Sequence, residues 1–289
     1  MPIDDLPRDV VFRFSFAFSF RQTPSSFTLN MRITNAFALT GLTLSTSVNA
    51  IVNGTEATAL DYPSIAGLYS SSWFGDSLIC SGVVVGEYTV LTTAHCVDGS
   101  SASNLKVRVG TADRTTGGAL IPISKVTSHP FYSSSTMDYD YAVLHMAQSA
   151  LEVSGVAAAL LPSTDDATGD DYPLRIAGWG MEASSSKTLP TSLHHVNMVS
   201  VEQSKCNDLW ADDNPITKNM MCFQPDVPLA PGTSVCNSDE GGPIVDETGQ
   251  TVFGMVSYFA KDCSASPRPN VGSNLNDQSA KDWIKNMIK

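Results

Sequence analysis

Six cysteines, at positions 80, 96, 206, 222, 236 and 263, constrain this chain more than any other feature. An even number with this spread suits three disulfides and an oxidising compartment, as in a secreted protein. The count alone leaves 15 pairings open. All six lie beyond residue 50, and the residues before that point read differently. Within 1–30, Val11-Phe12-Arg13-Phe14-Ser15-Phe16-Ala17-Phe18-Ser19-Phe20 has the period of a strand. A second methionine, Met31, begins a more coherent unit. Arg32 supplies a positive charge, Ala36 to Leu44 a short apolar core, and Val48-Asn49-Ala50 a small-residue cleavage site. Residues 31–50 therefore read as a secretory signal, 1–30 as an extension upstream of the true start, and 51–289 as the secreted domain. The apolar run is well short of the ~20 residues that a spanning helix needs, and no other stretch reaches that length, so no membrane association is expected.

From Ile51 onward the pattern is that of short strands. Ile79–Val85, Tyr88–Leu91, Lys106–Val109 and Leu120–Val126 are β-branched and apolar, with Gly, Ser, Asn and Asp between them. Strands at this spacing, without helical periodicity, argue for a barrel or sandwich. Acidic residues outnumber basic ones 29 to 17, a formal charge of −12, which repels phosphate backbones and makes nucleic acid a poor partner. Asp165-Asp166 and Asp170-Asp171 sit in a stretch containing Gly, Ser, Thr and Pro and read as solvated loop rather than as a metal site. His194 and His195 are adjacent in a strand-like run and face opposite ways, so they do not share an ion. No metal and no cofactor is expected.

Five short blocks carry the functional argument. They are Leu91-Thr92-Thr93-Ala94-His95-Cys96, Asp138-Tyr139-Asp140-Tyr141-Ala142-Val143-Leu144, Ala177-Gly178-Trp179-Gly180, Cys236-Asn237-Ser238-Asp239-Glu240-Gly241-Gly242-Pro243 and Gly254-Met255-Val256-Ser257-Tyr258. Taken singly each has a bland reading: Gly-Gly-Pro after a cysteine suits an ordinary turn, and a histidine beside a cysteine is often structural. In this order they resemble the signatures of the trypsin-like serine proteases. Arg108-Val109-Gly110 and Pro243-Ile244-Val245-Asp246 are similar in texture to the members secreted by fungi.

The resemblance covers nearly all of 51–289. It implies an all-β fold of two antiparallel six-stranded barrels, about 51–158 and 159–275, with a C-terminal helix at about 277–288. On that helix Trp283, Ile284, Met287 and Ile288 share one face. It implies the disulfides Cys80–Cys96, Cys206–Cys222 and Cys236–Cys263. His95 falls at the position of the catalytic base and Asp140 at that of its orienting acid, which Ser257 would support. The amine of Ile51, freed by a cut after Ala50, would fold inward and pair with Asp239. The specificity pocket would be formed by Ser234, Ser257, Tyr258, Phe259 and Asn270.

The departures from the pattern are equally specific. Glu240 stands where the nucleophilic serine should be, and Ser238 where a glycine presents its amide to the oxyanion. Ser234 at the pocket floor removes a preference for Lys or Arg, while Phe259 and Asn270 replace wall glycines and should fill the slot. A carboxylate has no proton to give up at neutral pH and is a poor nucleophile toward an amide, so an ion pair between Glu240 and His95 is expected instead. These residues point to an inactive, monomeric, secreted homologue that acts by binding a protease inhibitor, a protease or a host or cell-surface protein. The alternative is a weak or atypical endopeptidase in which Glu240 activates a water.

Overall fold

The computed structural model describes residues 51–163, 169–226 and 232–288. The phenylalanine alternation within 1–30, the signal expected at 31–50 and the acid pair Asp165-Asp166 lie outside the described residues.

A two-residue strand, β1 (Thr55–Glu56), precedes the first barrel. That barrel is built from β2 (Ile65–Ser72), β3 (Gly75–Gly86), β4 (Thr89–Thr92), β5 (Leu105–Val109), β6 (Ala119–Ser128) and β7 (Ala142–Met146), closed in the order β2-β3-β4-β7-β6-β5. Its interior follows from alternation: in β5, Leu105, Val107 and Val109 are buried while Lys106 and Arg108 between them are less so. β3 is longer than the apolar run Ile79–Val85 suggests. Its pairing with β2 continues through polar residues to Ser72 opposite Gly75, leaving Trp73 and Phe74 exposed at the hairpin tip. Backbone pairing, unlike burial, does not require apolar side chains.

The second barrel uses β8 (Pro173–Gly178), β9 (His194–Val201), β10 (Met220–Pro225), β11 (Pro243–Val245), β12 (Val252–Tyr258) and β13 (Asn270–Asn274). Its order is β9-β10-β13-β12-β11-β8, and a β8–β9 ladder closes it, while β1 pairs with β9. Both barrels thus have six antiparallel strands.

Two helices complete the fold. α1 (Gln203–Trp210) lies between the β9 and β10 strands and carries Cys206, which is bonded to Cys222. α2 (Gln278–Lys285) starts where the Asp277 side chain accepts the amides of Ser279 and Ala280, an N-cap that offsets otherwise unpaired donors. Ile284 is buried, with Trp283, Met287 and Ile288 at the edge of the same cluster. The helix is shorter than 277–288, because Asp277 is its cap and Asn286 its C-terminal boundary. Among the described residues no helix is long and apolar enough to cross a membrane.

The barrels are stitched to each other by buried polar contacts. The Tyr141 hydroxyl lies 2.9 Å from the Asn219 carbonyl and 3.0 Å from that of Asn274. The Trp179 indole donates to the Ala112 carbonyl at 2.8 Å. The other two disulfides are Cys80–Cys96 and Cys236–Cys263.

Candidate active site

His95 follows β4 and Asp140 precedes β7, so pairing of Thr92 with Ala142 brings the two loops together. Asp140 accepts the His95 backbone amide at 2.9 Å and lies 2.8 Å from Nδ1 of its ring. From the second barrel, the Ser257 hydroxyl donates to the same carboxylate at 2.6 Å and the Ser273 hydroxyl to the Asp140 carbonyl at 2.6 Å. Asp140 is 1% exposed. A buried acid held by this many donors fixes which imidazole nitrogen faces it, and the other, Nε2, lies 3.6 Å from the disulfide sulfur of Cys96. Ser273 has no counterpart in the motif reading. Only the register of β13 against β12, Ser273 opposite Met255, puts it in place.

Residues 238–242 form a tightly pinned turn. The Ser81 amide donates to the Glu240 carbonyl at 2.7 Å, the Gly241 amide to Val256 at 2.8 Å and the Gly242 amide to Asp239 at 2.9 Å. Gly241 has φ +76°, and a Cβ there would meet the Ser81 carbonyl oxygen at 2.2 Å, so only glycine fits. Ser238 also sits in the left-handed region, at φ +76°. The surrounding turn holds Ser238 in a glycine-like conformation, and its amide points at residue 240.

The Glu240 carboxylate accepts that amide at 2.6 Å. Among the described residues no ion pair joins it to His95, contrary to the expected contact. The reason is competition: a fixed amide two residues away offers a charge-assisted bond that needs no rearrangement of the imidazole. The pair still interact through space. Burial pulls the His95 pKa down, but the Asp140 hydrogen bond and the charges of Asp140 and Glu240 outweigh it and leave it raised. Burial raises the Glu240 pKa, and its own amide, His95 and the Ser238 amide only partly oppose this.

Asp239 points the other way, into the second barrel, and is fully buried. Its carboxyl accepts the amides of Gly180 at 2.8 Å and Cys236 at 2.9 Å. A Cβ on Gly178 would lie 2.2 Å from Asp239 Oδ1, and one on Gly180 2.2 Å from Cγ, which explains the glycines of the Ala177–Gly180 block. The ion pair between the Ile51 amine and Asp239 requires a cut after Ala50, which this uncut chain does not have. The Ile51 nitrogen is in peptide linkage to Ala50 and carries no charge. Its side chain is buried in the same apolar cluster as Val235 and Ile244, and Val52 bridges to Ser234. Without a cation, burial pushes the Asp239 carboxyl up to about 8.

At the pocket, the Ser234 hydroxyl donates to Asn270 Oδ1 at 3.2 Å, and both residues are buried. Phe259 is half-buried against the cluster containing Val235 and Val256. Tyr258 packs edge-on to Trp210 at 5.3 Å, and its hydroxyl accepts the Asn214 amide at 2.9 Å. His95, Cys80 and Cys96 come close enough to hold an ion, but the Cys80–Cys96 disulfide removes both thiolates.

The trypsin family model matches residues 51–284. The chain belongs to the trypsin family. It is 31% identical to trypsin beta of Drosophila erecta over 82% of its own length and 87% of the relative's. It is 30% identical to trypsin 5G1 of Aedes aegypti over 83% and 85%. Among solved structures it resembles neuropsin, a serine protease expressed in the limbic system of mouse brain, with a TM-score of 0.70 and 26% identity. That similarity covers 82% of this chain and 99% of neuropsin. These findings correct the expectation of a non-enzyme. The relatives are named trypsins, which are serine endopeptidases, so membership of the trypsin family points to an enzyme.

Proposed function

We propose that this trypsin-family chain is a secreted, atypical endopeptidase that hydrolyses peptide bonds with water as the direct nucleophile. The observation that carries this reading is the His95–Asp140 pair at 2.8 Å, held from the other barrel by Ser257. It is the base and orienter of peptide hydrolysis, and it is complete without residue 240.

The Nε2 nitrogen of His95, the one not facing Asp140, takes a proton from a water whose oxygen bonds to the scissile carbonyl carbon. The carbonyl oxygen becomes an oxyanion facing the amides of Ser238 and Glu240. The carbon–nitrogen bond then breaks, and the imidazolium returns its proton to the leaving amine, giving a carboxylic acid and an amine. Glu240 itself is not the base, because its carboxylate is turned onto the Ser238 amide. Removing the serine nucleophile from a related machinery leaves roughly 10³–10⁴-fold acceleration over water, and turnover of that order is proposed here.

The neutral Ser234–Asn270 floor disfavours a lysine or arginine at the cut. The partner of this reading is accordingly a protein or peptide chain without a required basic residue. The test is a peptide-library digestion by the purified protein. Slow cleavage that His95→Ala abolishes and that a fluorophosphonate does not inhibit supports the proposal. Cleavage indifferent to His95→Ala, or absent at long incubation, removes it.

A further inference from the structure

The donors that the proposed reaction needs are already in use. The Ser238 amide donates to the Glu240 carboxylate at 2.6 Å, and the Glu240 backbone amide also favours the charged side chain. A carboxylate oxygen has nearly the charge and the hydrogen-bonding demand of the oxyanion that develops on a substrate carbonyl. The side chain therefore stands where a reacting oxygen would have to stand.

We infer that Glu240 is an intramolecular plug of the oxyanion hole, and that behind it lies a cradle for the terminal carboxylate of a peptide. The main chain cannot open this cradle. Residue 240 is held by the Ser81 amide on its carbonyl, residue 241 by Val256, and residue 242 by Asp239. Gly241 is wedged against Ser81 and Thr92. What is left to move is the Glu240 side chain, which turns about its own single bonds into the cleft. The gate is thus one rotamer rather than a loop, and it opens each time the charge-assisted bond to Ser238 is broken.

The plug is worth roughly 10- to 100-fold in accessibility of the hole, the weight of one charge-assisted hydrogen bond. The activity arm of the test rests on the hydrolase reading proposed above. Glu240→Ala should raise kcat/KM for a neutral peptide substrate by about that factor, and Glu240→Gln by less, since the amide keeps an acceptor but loses the charge. An unchanged or lower kcat/KM in Glu240→Ala, with His95-dependent cleavage still measurable in the parent, overturns the plug.

The binding arm is independent of turnover. By calorimetry, N-acetyl-Ala-Ala-Leu with a free carboxylate should bind Glu240→Ala at least about tenfold more tightly than it binds the parent, and more tightly than the corresponding peptide amide. Equal binding to parent and variant, or no preference for carboxylate over amide, refutes the cradle whatever the cleavage assay gives. Cleavage absent from every protein alongside carboxylate-selective binding to Glu240→Ala would sink the hydrolase reading and leave the plug standing. The Ser238 amide proton resonance, read in Glu240→Gln as well as Glu240→Ala, guards against misfolding: it should move in both variants while the remaining spectrum stays dispersed.

Discussion

Raising the pH from about 5 to about 7.5 should destabilise the full chain through one carboxyl group, that of Asp239. The group is fully buried, its oxygens accept the Gly180 and Cys236 amides, and among the described residues no cation pairs with it. Burial raises its pKa from 3.8 to about 8, so the native state keeps a proton that the unfolded chain gives up in water. The sign follows: the contribution is fully present below the unfolded value and is lost as pH rises through the folded one. Four units at about 1.4 kcal/mol each set an upper bound of about 6 kcal/mol over the whole window. Urea unfolding of the parent and of Asp239→Asn at a series of pH values isolates the effect. The stability difference between them should shift against the parent by about 1.4 kcal/mol per pH unit between about 5 and 7.5. A chain beginning at Ile51 should lose this slope, because the freed amine supplies the missing cation. A pH-independent difference in the full chain would show that the carboxyl is already ionised, and would refute the argument.

Three further outcomes are expected. The kcat/KM for peptide cleavage should rise with pH through a midpoint above 6.5, because His95 is raised and must be neutral to act, and Glu240→Gln should lower that midpoint by removing one of the charges responsible; a rate that falls with pH would take the imidazole out of the role of base. Ser238→Gly should stabilise the fold by about 1 kcal/mol in thermal or urea melts, the left-handed penalty less the entropy of glycine. Gly178→Ala should destabilise it by about 3 kcal/mol or more, since its Cβ would meet Asp239 Oδ1 at 2.2 Å and that carboxyl is pinned by two amides; a neutral effect would show that Asp239 can move aside.

The elements that a reader of the sequence could place were those where chemistry is local. His95 and Asp140 stand inside short blocks whose neighbours, buried apolar strand residues, leave few alternatives. The direction of the Glu240 side chain was not legible, because it depends on the Ser238 backbone adopting φ +76°, a conformation that serine rarely takes and that the turn imposes from outside. Ser273 was invisible for a related reason, since its bond to the Asp140 carbonyl exists only once two strands far apart in the chain are in register. The polar half of β3 shows the same limit: Gly75, Asp76 and Ser77 pair with β2 although nothing in their composition marks a strand.

Asp140 takes hydrogen bonds from His95 on one barrel and from Ser257 and Ser273 on the other. The His95 imidazole is therefore held in this orientation only while both halves of the molecule are folded and docked. Turnover would act as a coincidence detector for the two halves, disappearing at the first partial opening of either, before most optical probes register a change.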